Sequence, residues 1–396
     1  MPSVTPESVV VVAARRTPIG AFQGALAPLT APELGAAAMN ACIADTALPA
    51  GDLDQALAGC VLQAGIGQAP ARRAIMAAGL PVGLPTMTIN KVCGSGLASV
   101  IIGHDMIRAG SAGIVLAAGM ESMSNAPYLL PKARSGYRMG HQEVLDHMFT
   151  DGLQNPYDGN MMGHFAEQTA RKYGFTREMQ DAFAMESVRR ALAAAGDGGF
   201  AAELVPLTIK GRKGETVVER DEEPLRADIG RIPTLRPAFA RDGTVTAASS
   251  SSIADGAAAL IIMGESEAAR RGLQPLARIA GFSSHAHAPE WFTTAPIGAI
   301  GALLGKLGWA AGEVDLYEIN EAFACVTMSA THELGLDPAR VNIHGGACAL
   351  GHPIGATGTR IIVTLLHALR RHGGKRGIAS ACIGGGEALA LALEIP

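Results

Sequence analysis

Ile89-Asn90-Lys91-Val92-Cys93-Gly94-Ser95-Gly96 is an apolar run that breaks into a cysteine and a glycine-rich turn, and a helical pattern follows at once. Residues 86–92 read as a strand that delivers Cys93 to a bend. Gly94 and Gly96 permit a tight turn, and residues 97–109 continue as helix, with Leu97, Val100, Ile101 and His104 near helical spacing. The thiol is thereby expected at a helix N-terminus, where unpaired N–H groups favour thiolate and lower its pKa. A lone cysteine is more often a small buried hydrophobe, so the stretch assigns no chemistry by itself.

The same alternation extends on both sides. Residues 9–14 form a β-branched run closed by Arg15-Arg16-Thr17-Pro18. Thr30-Ala31-Pro32-Glu33 supplies an N-cap, a first-turn proline and an acid at N3 for a helix to about residue 45. Strands are expected at 56–61 and 114–118 and a helix at 70–78, which makes an α/β sheet covered on both faces. From 121 to 244 the pattern breaks into loops, helices at 166–173 and 177–195, and a strand pair over 203–219 turned at Gly211-Arg212-Lys213-Gly214. This reads as an inserted loop domain. Alternation then returns, with helices at 266–271, 297–307, 321–334 and 359–371 between strands at 257–263, 276–282, 314–319, 377–381 and 388–393. The expected organisation is an N-terminal α/β half at 1–120, completed by about 245–272, and a C-terminal half at 273–396. A glycine-rich turn, a helix and an apolar strand follow one another in both, which suggests an internal duplication.

With 396 residues, of which 48% are hydrophobic and 17% charged, the chain is core-rich and exceeds one ordinary core. A formal charge of -4 with no dense Lys/Arg run leaves no electrostatic footprint for nucleic acid. Residues 1–7 lack a basic segment followed by an apolar core, and no apolar stretch reaches membrane-spanning length, so a cytoplasmic protein without a membrane partner is expected. Six cysteines without a Cys-x-x-Cys pair suggest reduced thiols.

Three further stretches place reactive residues at strand ends, where α/β sheets line their ligand crevice. They are Asn320-Glu321-Ala322-Phe323-Ala324, the glycine-rich run from His344 through Gly351-His352-Pro353 to Gly358, and Cys382-Ile383-Gly384-Gly385-Gly386. Each has a plainer reading. Asn320 and Glu321 can cap the next helix, His352 can be a turn residue, and Cys382 can be a packed small residue. The glycine-rich run lacks the Gly-Lys-[Ser/Thr] ending of a P-loop, and no His-Glu-x-x-His spacing marks a metal site.

Together with Cys93, these motifs, in this order, resemble the thiolase family. The resemblance runs from Arg15-Arg16-Thr17-Pro18-Ile19-Gly20 to the last strand. It implies the thiolase fold, two similar βαβ-type halves packed as layered α/β/α/β/α. It also implies acetyl-CoA acetyltransferase activity, the reversible Claisen condensation of two acetyl-CoA to acetoacetyl-CoA and CoA, with coenzyme A thioesters as substrates and no cofactor or metal. Cys93 would carry the acyl group and His352 accept its proton. Cys382 would take the α-proton of the second acetyl-CoA, and Asn320, through a water, would bind a thioester oxygen with His352. The N–H groups of Cys93 and Gly384 would bind the acyl-enzyme oxygen. Leu153, Met162, Ala247, Ser251 and Phe323 match positions along the pantetheine channel, and Arg226 matches a residue near the nucleotide, with Arg231 weaker because its loop is shortened.

Several positions depart from the family pattern. Ser249-Ser250-Ser251-Ser252 replaces an Asn-containing run, Met161 stands where many members have His, and Phe292 where acetyl-specific members have Met. Asp221-Glu222-Glu223-Pro224 resembles a potassium-sensitive subgroup, but Pro224 replaces its ion-site tyrosine. No role is assigned to His344 or Cys348. The same residues would serve a 3-ketoacyl-CoA thiolase with a longer acyl pocket, and a non-catalytic acyl-CoA-binding protein on this scaffold is the reading from another class. The resemblance further implies a homotetramer, with residues 125–148 as the tetramer loop.

Overall fold

The computed structural model describes residues 7–211 and 214–396. Arg212 and Lys213 of the expected hairpin turn, and residues 1–6 of the N-terminal stretch read for a targeting segment, therefore lie outside the described residues. The principal strands are β1 (Val9–Arg16), β2 (Gln55–Gly59), β3 (Thr86–Ile89), β4 (Ile114–Ser122), β5 (Ala254–Gly264), β6 (Ala277–Ala286), β7 (Leu316–Ile319), β8 (Arg376–Ile383) and β9 (Glu387–Glu394). They join in one mixed sheet in the order β7-β8-β9-β6-β1-β5-β4-β2-β3. Its two parts meet only where Val10 pairs with Arg278 and Val11 with Ala277.

The order hides a repeat. In the first part β2 runs parallel to β4, β4 antiparallel to β5 and β5 antiparallel to β1. In the second, β7, β8, β9 and β6 follow the same sequence of senses. The internal duplication read from the glycine-rich turns is thus present as topology.

Strand alternation sorts the core into layers. Helices α1 (Ala31–Thr46) and α2 (Pro70–Ala77) cover one face of the first part, on Ala56, Ala58, Leu116 and Ala118. The opposite residues, Leu57, Val115 and Ala117, face a central layer of α3 (Ser95–Arg108) and a long helix at Ile354–His372. From the second part Leu389, Leu391 and Leu393 face the same layer, while Ala388, Ala390 and Ala392 face a helix at Ala295–Leu307. The result is the expected α/β/α/β/α stacking. Between β4 and β5 lie α4 (Met162–Tyr173) and α5 (Arg177–Gly196); the remaining long helices, in chain order, are α6 (Ala295–Leu307), α7 (Ala324–Glu333) and α8 (Ile354–His372).

The segment between β4 and β5 is held to the sheet by charge as well as by apolar contact. Arg16 on β1 is completely buried, donates from Nε to Glu203 at 2.5 Å and makes a two-bond fork with Asp221 at 2.6 and 2.9 Å. Glu222 accepts the backbone N–H groups of Ala21 and Ala25, and Glu167 those of Thr244 and Val245. Asp221 and Glu222 are therefore occupied in fixing backbone.

Three boundaries differ from expectation for identifiable reasons. β3 stops at Ile89, because Val92 takes a left-handed φ of 47°. α7 starts at Ala324, because Phe323 stays extended and the chain beside it hydrogen-bonds to the serine run, Ser251 N–H to Ala322 O and Ala324 N–H to Ser249 O. Asn320 and Glu321 are thus not helix caps. α8 starts five residues early, with Pro353 as its N-cap.

Candidate active site

The Cys93 turn is tied by one serine. Lys91 N–H donates to Ser95 Oγ at 2.8 Å, Ser95 Oγ–H donates to Val92 O at 2.7 Å, and Gly94 N–H closes onto Lys91 O at 3.0 Å. A β-branched residue at positive φ is strained, and this network is what holds Val92 there. The half-buried Cys93 stands two residues before α3. Burial pushes its thiol up to about 11, against the opposing pull of the Gly384 and Cys93 backbone N–H groups. The lowered thiol pKa expected from the helix terminus is therefore overturned, since desolvation outweighs the amides. Those two N–H groups are nevertheless the pair expected to hold an acyl-enzyme oxygen, and both address the sulfur.

His352 stands two residues before α8, the position in the second repeat that Cys93 has in the first. Glycines bring the two helix starts into backbone contact. A Cβ on Gly96 would lie 2.5 Å from Thr359 N, and one on Gly358 would lie 2.2 Å from Leu97 N. The glycine-rich run that ends at Gly358 is thus part of a helix-packing surface. His352 N–H donates to Ser252 O at 2.9 Å, and its Nδ1 lies 2.6 Å from Thr357 Oγ1. The Thr357 hydroxyl proton is spent on Pro353 O at 3.0 Å, so the ring donates from Nδ1 and leaves Nε2 as a bare acceptor. Nε2 is buried without a partner. Burial, with Arg360 adding to it, lowers the imidazole to about 3, so the ring is neutral.

Asn320 follows β7 directly, and Cys382 is the last residue but one of β8. The last pairs of the parallel ladders, Gly59 with Gly119 and Ile319 with Ser380, align the repeats. Asn320 then corresponds to Cys60, and Cys382 to Glu121. Both atoms of the Asn320 side-chain amide are buried without a partner. Cys382 is completely buried, and burial first, then the neighbouring Cys93, pushes its thiol well above the usual range. Past it, Gly385 and Gly386 take φ of 101° and 93°, and a Cβ on Gly386 would lie 2.4 Å from His287 O.

A cavity of about 230 Å³ opens over Cys93. Of the residues expected to hold substrate, Leu153, Met162, Ser251 and Phe323 line it, with His352 and Gly384. Asn320 and Cys382 are not among its lining; they lie two residues before Ala322 and Gly384, which are. Phe292 forms part of the wall and packs edge-on against Phe165 at 6.4 Å between ring centroids. Arg226 and Ala247 line a second hollow of about 330 Å³, together with Arg231, and Ser252 belongs to both hollows. Cys348 lines that second hollow, and its N–H donates to Glu321 at 3.0 Å. His344 lies 3.3 Å from His372 and edge-on to Phe200, away from the cavity.

Sequence reasoning missed the supports. Glu121 is completely buried and accepts the N–H groups of Val61, Leu62 and Gly355 at 3.1, 3.1 and 2.8 Å, which couples the first repeat to the start of α8. Thr357, Ser252 and Asn342 act in the same indirect way, and only the type of residue in a strand-end loop signalled any of them. Among the described residues no group of three or more His, Cys, Asp or Glu could hold a metal ion, and no helix is long and apolar enough to cross a membrane.

Comparison with known proteins agrees with this arrangement. Residues 9–266 match the N-terminal domain of thiolase and residues 273–395 its C-terminal domain. The chain is 49% identical over 389 residues to an acetyl-CoA acetyltransferase of Pseudomonas aeruginosa, covering 98% of this chain and 99% of that one. It is 45% identical over 384 residues to a protein of Staphylococcus aureus described as a probable acetyl-CoA acyltransferase, covering 96% and 98%. A crystal structure of an Ascaris suum thiolase in complex with coenzyme A superposes with a TM-score of 0.93 at 40% identity, covering 98% of this chain and all of that one. With both family domains matched in order over almost the whole length, and a cysteine and a histidine brought together by equivalent helix starts, the chain belongs to the thiolase family.

Proposed function

We propose that the protein is an acetyl-CoA acetyltransferase, joining two acetyl-CoA into acetoacetyl-CoA and CoA and cleaving acetoacetyl-CoA in reverse. The observation that carries the proposal is that Cys93, His352 and Gly384 line one small apolar cavity, with His352 Nε2 unpartnered and the Gly384 N–H directed at the Cys93 sulfur, and that this cavity shares Ser252 with the hollow lined by Arg226. At rest the pair is thiol and neutral imidazole. Proton transfer to His352 Nε2 therefore accompanies attack of sulfur on the thioester carbon, because a free thiolate in this site is costly. The C–S bond to CoA breaks, and CoA leaves with a proton from Cys382, which is left as thiolate, while His352 keeps the proton taken from Cys93. The acetyl oxygen then lies at the Cys93 and Gly384 N–H groups.

The second acetyl-CoA presents its methyl group to Cys382, which removes a proton. His352 Nε2 and a water on the Asn320 amide hold the enolate oxygen. The carbanion attacks the acetyl carbon, the Cys93–carbon bond breaks, and the Cys93 sulfur takes back the proton held by His352, which restores the resting thiol and neutral imidazole. Leu153, Met162, Ala247, Ser251 and Phe323 enclose the pantetheine arm, while Arg226 serves the nucleotide end. Phe292 and the small cavity favour a two-carbon acyl group over the longer chains of a β-oxidation thiolase.

The protein acts in the cytoplasm as a homotetramer. Residues 125–148 form the tetramer contact, where Tyr128, Leu130, Met139 and Val144 are exposed. The division is as read above, an inserted loop domain at 121–244 between two α/β halves. Labelled acetyl-CoA tests the roles. Cys93→Ala should abolish both acyl-enzyme and thiolysis, whereas Cys382→Ala should still accumulate acetyl-enzyme without condensing. Turnover by Cys93→Ala, or tight CoA binding without any turnover, would refute the proposal. Comparing four-carbon with longer 3-ketoacyl-CoA tests chain length, and a monomer mass in solution would contradict the assembly.

A further inference from the structure

We propose that Asn342 and Glu321 are positioning residues for Asn320, setting the direction of an amide that makes no contact of its own with the protein. The inference rests on the reading that Asn320 serves the enolate oxygen. Because both side-chain atoms of Asn320 lack partners in a residue 1% exposed, its aim is inherited from the backbone on either side.

On one side Asn342 imitates a neighbouring strand. Its Oδ1 accepts the Ile319 N–H at 2.8 Å and its Nδ2 donates to Ile319 O at 2.8 Å, so one side-chain amide makes both bonds of a ladder pair. Its own N–H donates to Tyr317 O at 2.8 Å, and its φ of 48° is one that asparagine tolerates better than most residues.

On the other side Glu321 is gripped by three donors. Asn342 Nδ2 reaches Oε1 at 2.9 Å, and Ser187 Oγ–H and Cys348 N–H reach Oε2 at 2.8 and 3.0 Å. These donors come from α5, from the loop after α7 and from the short helix Ala347–Leu350, whose chain continues into His352. The fit leaves no slack, because a Cβ on Gly346 would lie 2.3 Å from the Glu321 carboxyl carbon. Asn342 thus joins both peptide neighbours of Asn320, and Glu321 joins the Asn320 segment to the His352 segment. A carboxylate with this set of bonds costs more to bury than an apolar side chain would, unless the geometry itself is what is held.

The test uses the intact enzyme and the variants Asn342→Asp, Glu321→Gln and Asn320→Ala. Acetylation of Cys93 by labelled acetyl-CoA is measured apart from condensation of the preformed acetyl-enzyme. Asn342→Asp removes the donor while keeping the shape, and Glu321→Gln keeps size while losing one acceptor. Both should acetylate within about threefold of the parent and condense at least tenfold slower, with little change in KM. Combined with Asn320→Ala, neither should slow condensation further, since residues acting as one unit are not additive. A multiplied loss in the double variants, or an equal loss in acetylation and condensation, would overturn the positioning role. Normal condensation by Asn320→Ala would instead overturn the reading of Asn320, which separates the two failures. Should Asn342→Asp fail to fold, Glu321→Gln carries the same two outcomes.

Discussion

Replacing Gly358 by alanine tests whether the two reactive side chains owe their meeting to backbone contact between α3 and α8. The added methyl would lie 2.2 Å from Leu97 N and 2.9 Å from Gly96 C, both main-chain atoms of α3. Neither can rotate away, so the helices must separate by about 1.2 Å, the difference between 2.2 Å and an ordinary contact of 3.4 Å. Overfilling of this kind costs about 1–3 kcal/mol of stability. A displacement of about 1 Å between reacting groups costs on the order of a hundredfold in rate. Because Cys93 precedes α3 and His352 precedes α8, the separation falls on the proton transfer between them. We expect kcat for thiolysis of acetoacetyl-CoA to drop about a hundredfold, the urea midpoint to fall, and acetylation of Cys93 to slow with kcat. If the variant kept a rate within threefold of the parent and an unchanged midpoint, glycine packing would not be what positions the pair.

Alkylation of Cys93 by iodoacetamide should rise roughly tenfold per pH unit from 7 to 10, because thiolate is the reacting form and the thiol is pushed up to about 11. A plateau by pH 8 would instead indicate a thiolate stabilised by the α3 terminus. Arg16→Ala should destabilise the protein by about 3–5 kcal/mol, since it strands Glu203 and Asp221 as buried unpaired carboxylates; a shift in urea unfolding below 1 kcal/mol would contradict this. Phe292→Ala opens the wall of the Cys93 cavity and should raise the relative rate on six-carbon over four-carbon 3-ketoacyl-CoA by about tenfold. An unchanged ratio would remove Phe292 from chain-length selection.

What could be read in advance divides along a physical line. Periodicity carried the helices and strands, because a layered sheet imposes a period of two on Leu389, Leu391 and Leu393 and the complementary one on Ala388, Ala390 and Ala392. That Cys93 and His352 face one cavity agrees with motifs at strand ends, whereas Leu153, Met162, Ser251 and Phe323 of its lining came from the family resemblance. Electrostatics came from neither. A helix terminus near Cys93 is visible in sequence, but the burial that outweighs it is set by tertiary packing around the thiol. Supports escaped for the same reason. Nothing local distinguishes Glu121 from a surface acid, since its donors at Val61, Leu62 and Gly355 lie about 60 and 234 residues away. Asn342 is an ordinary turn residue until Ile319 is seen beside it.

The alignment of the repeats gives Glu121 and Cys60 a further meaning. They occupy the places that Cys382 and Asn320 hold in the other copy, yet Glu121 accepts three main-chain N–H groups and Cys60 is a buried thiol that donates to it at 3.7 Å. A repeated fold supplies two sets of strand-end positions, and in the mechanism proposed above one set does chemistry while the other holds main chain beside it. The copies consequently age under different rules. Positions 60 and 121 can drift to any pair that still gathers those amides, whereas 320 and 382 are bound to one chemistry, so swapping the two sets should give a well-folded but inert protein.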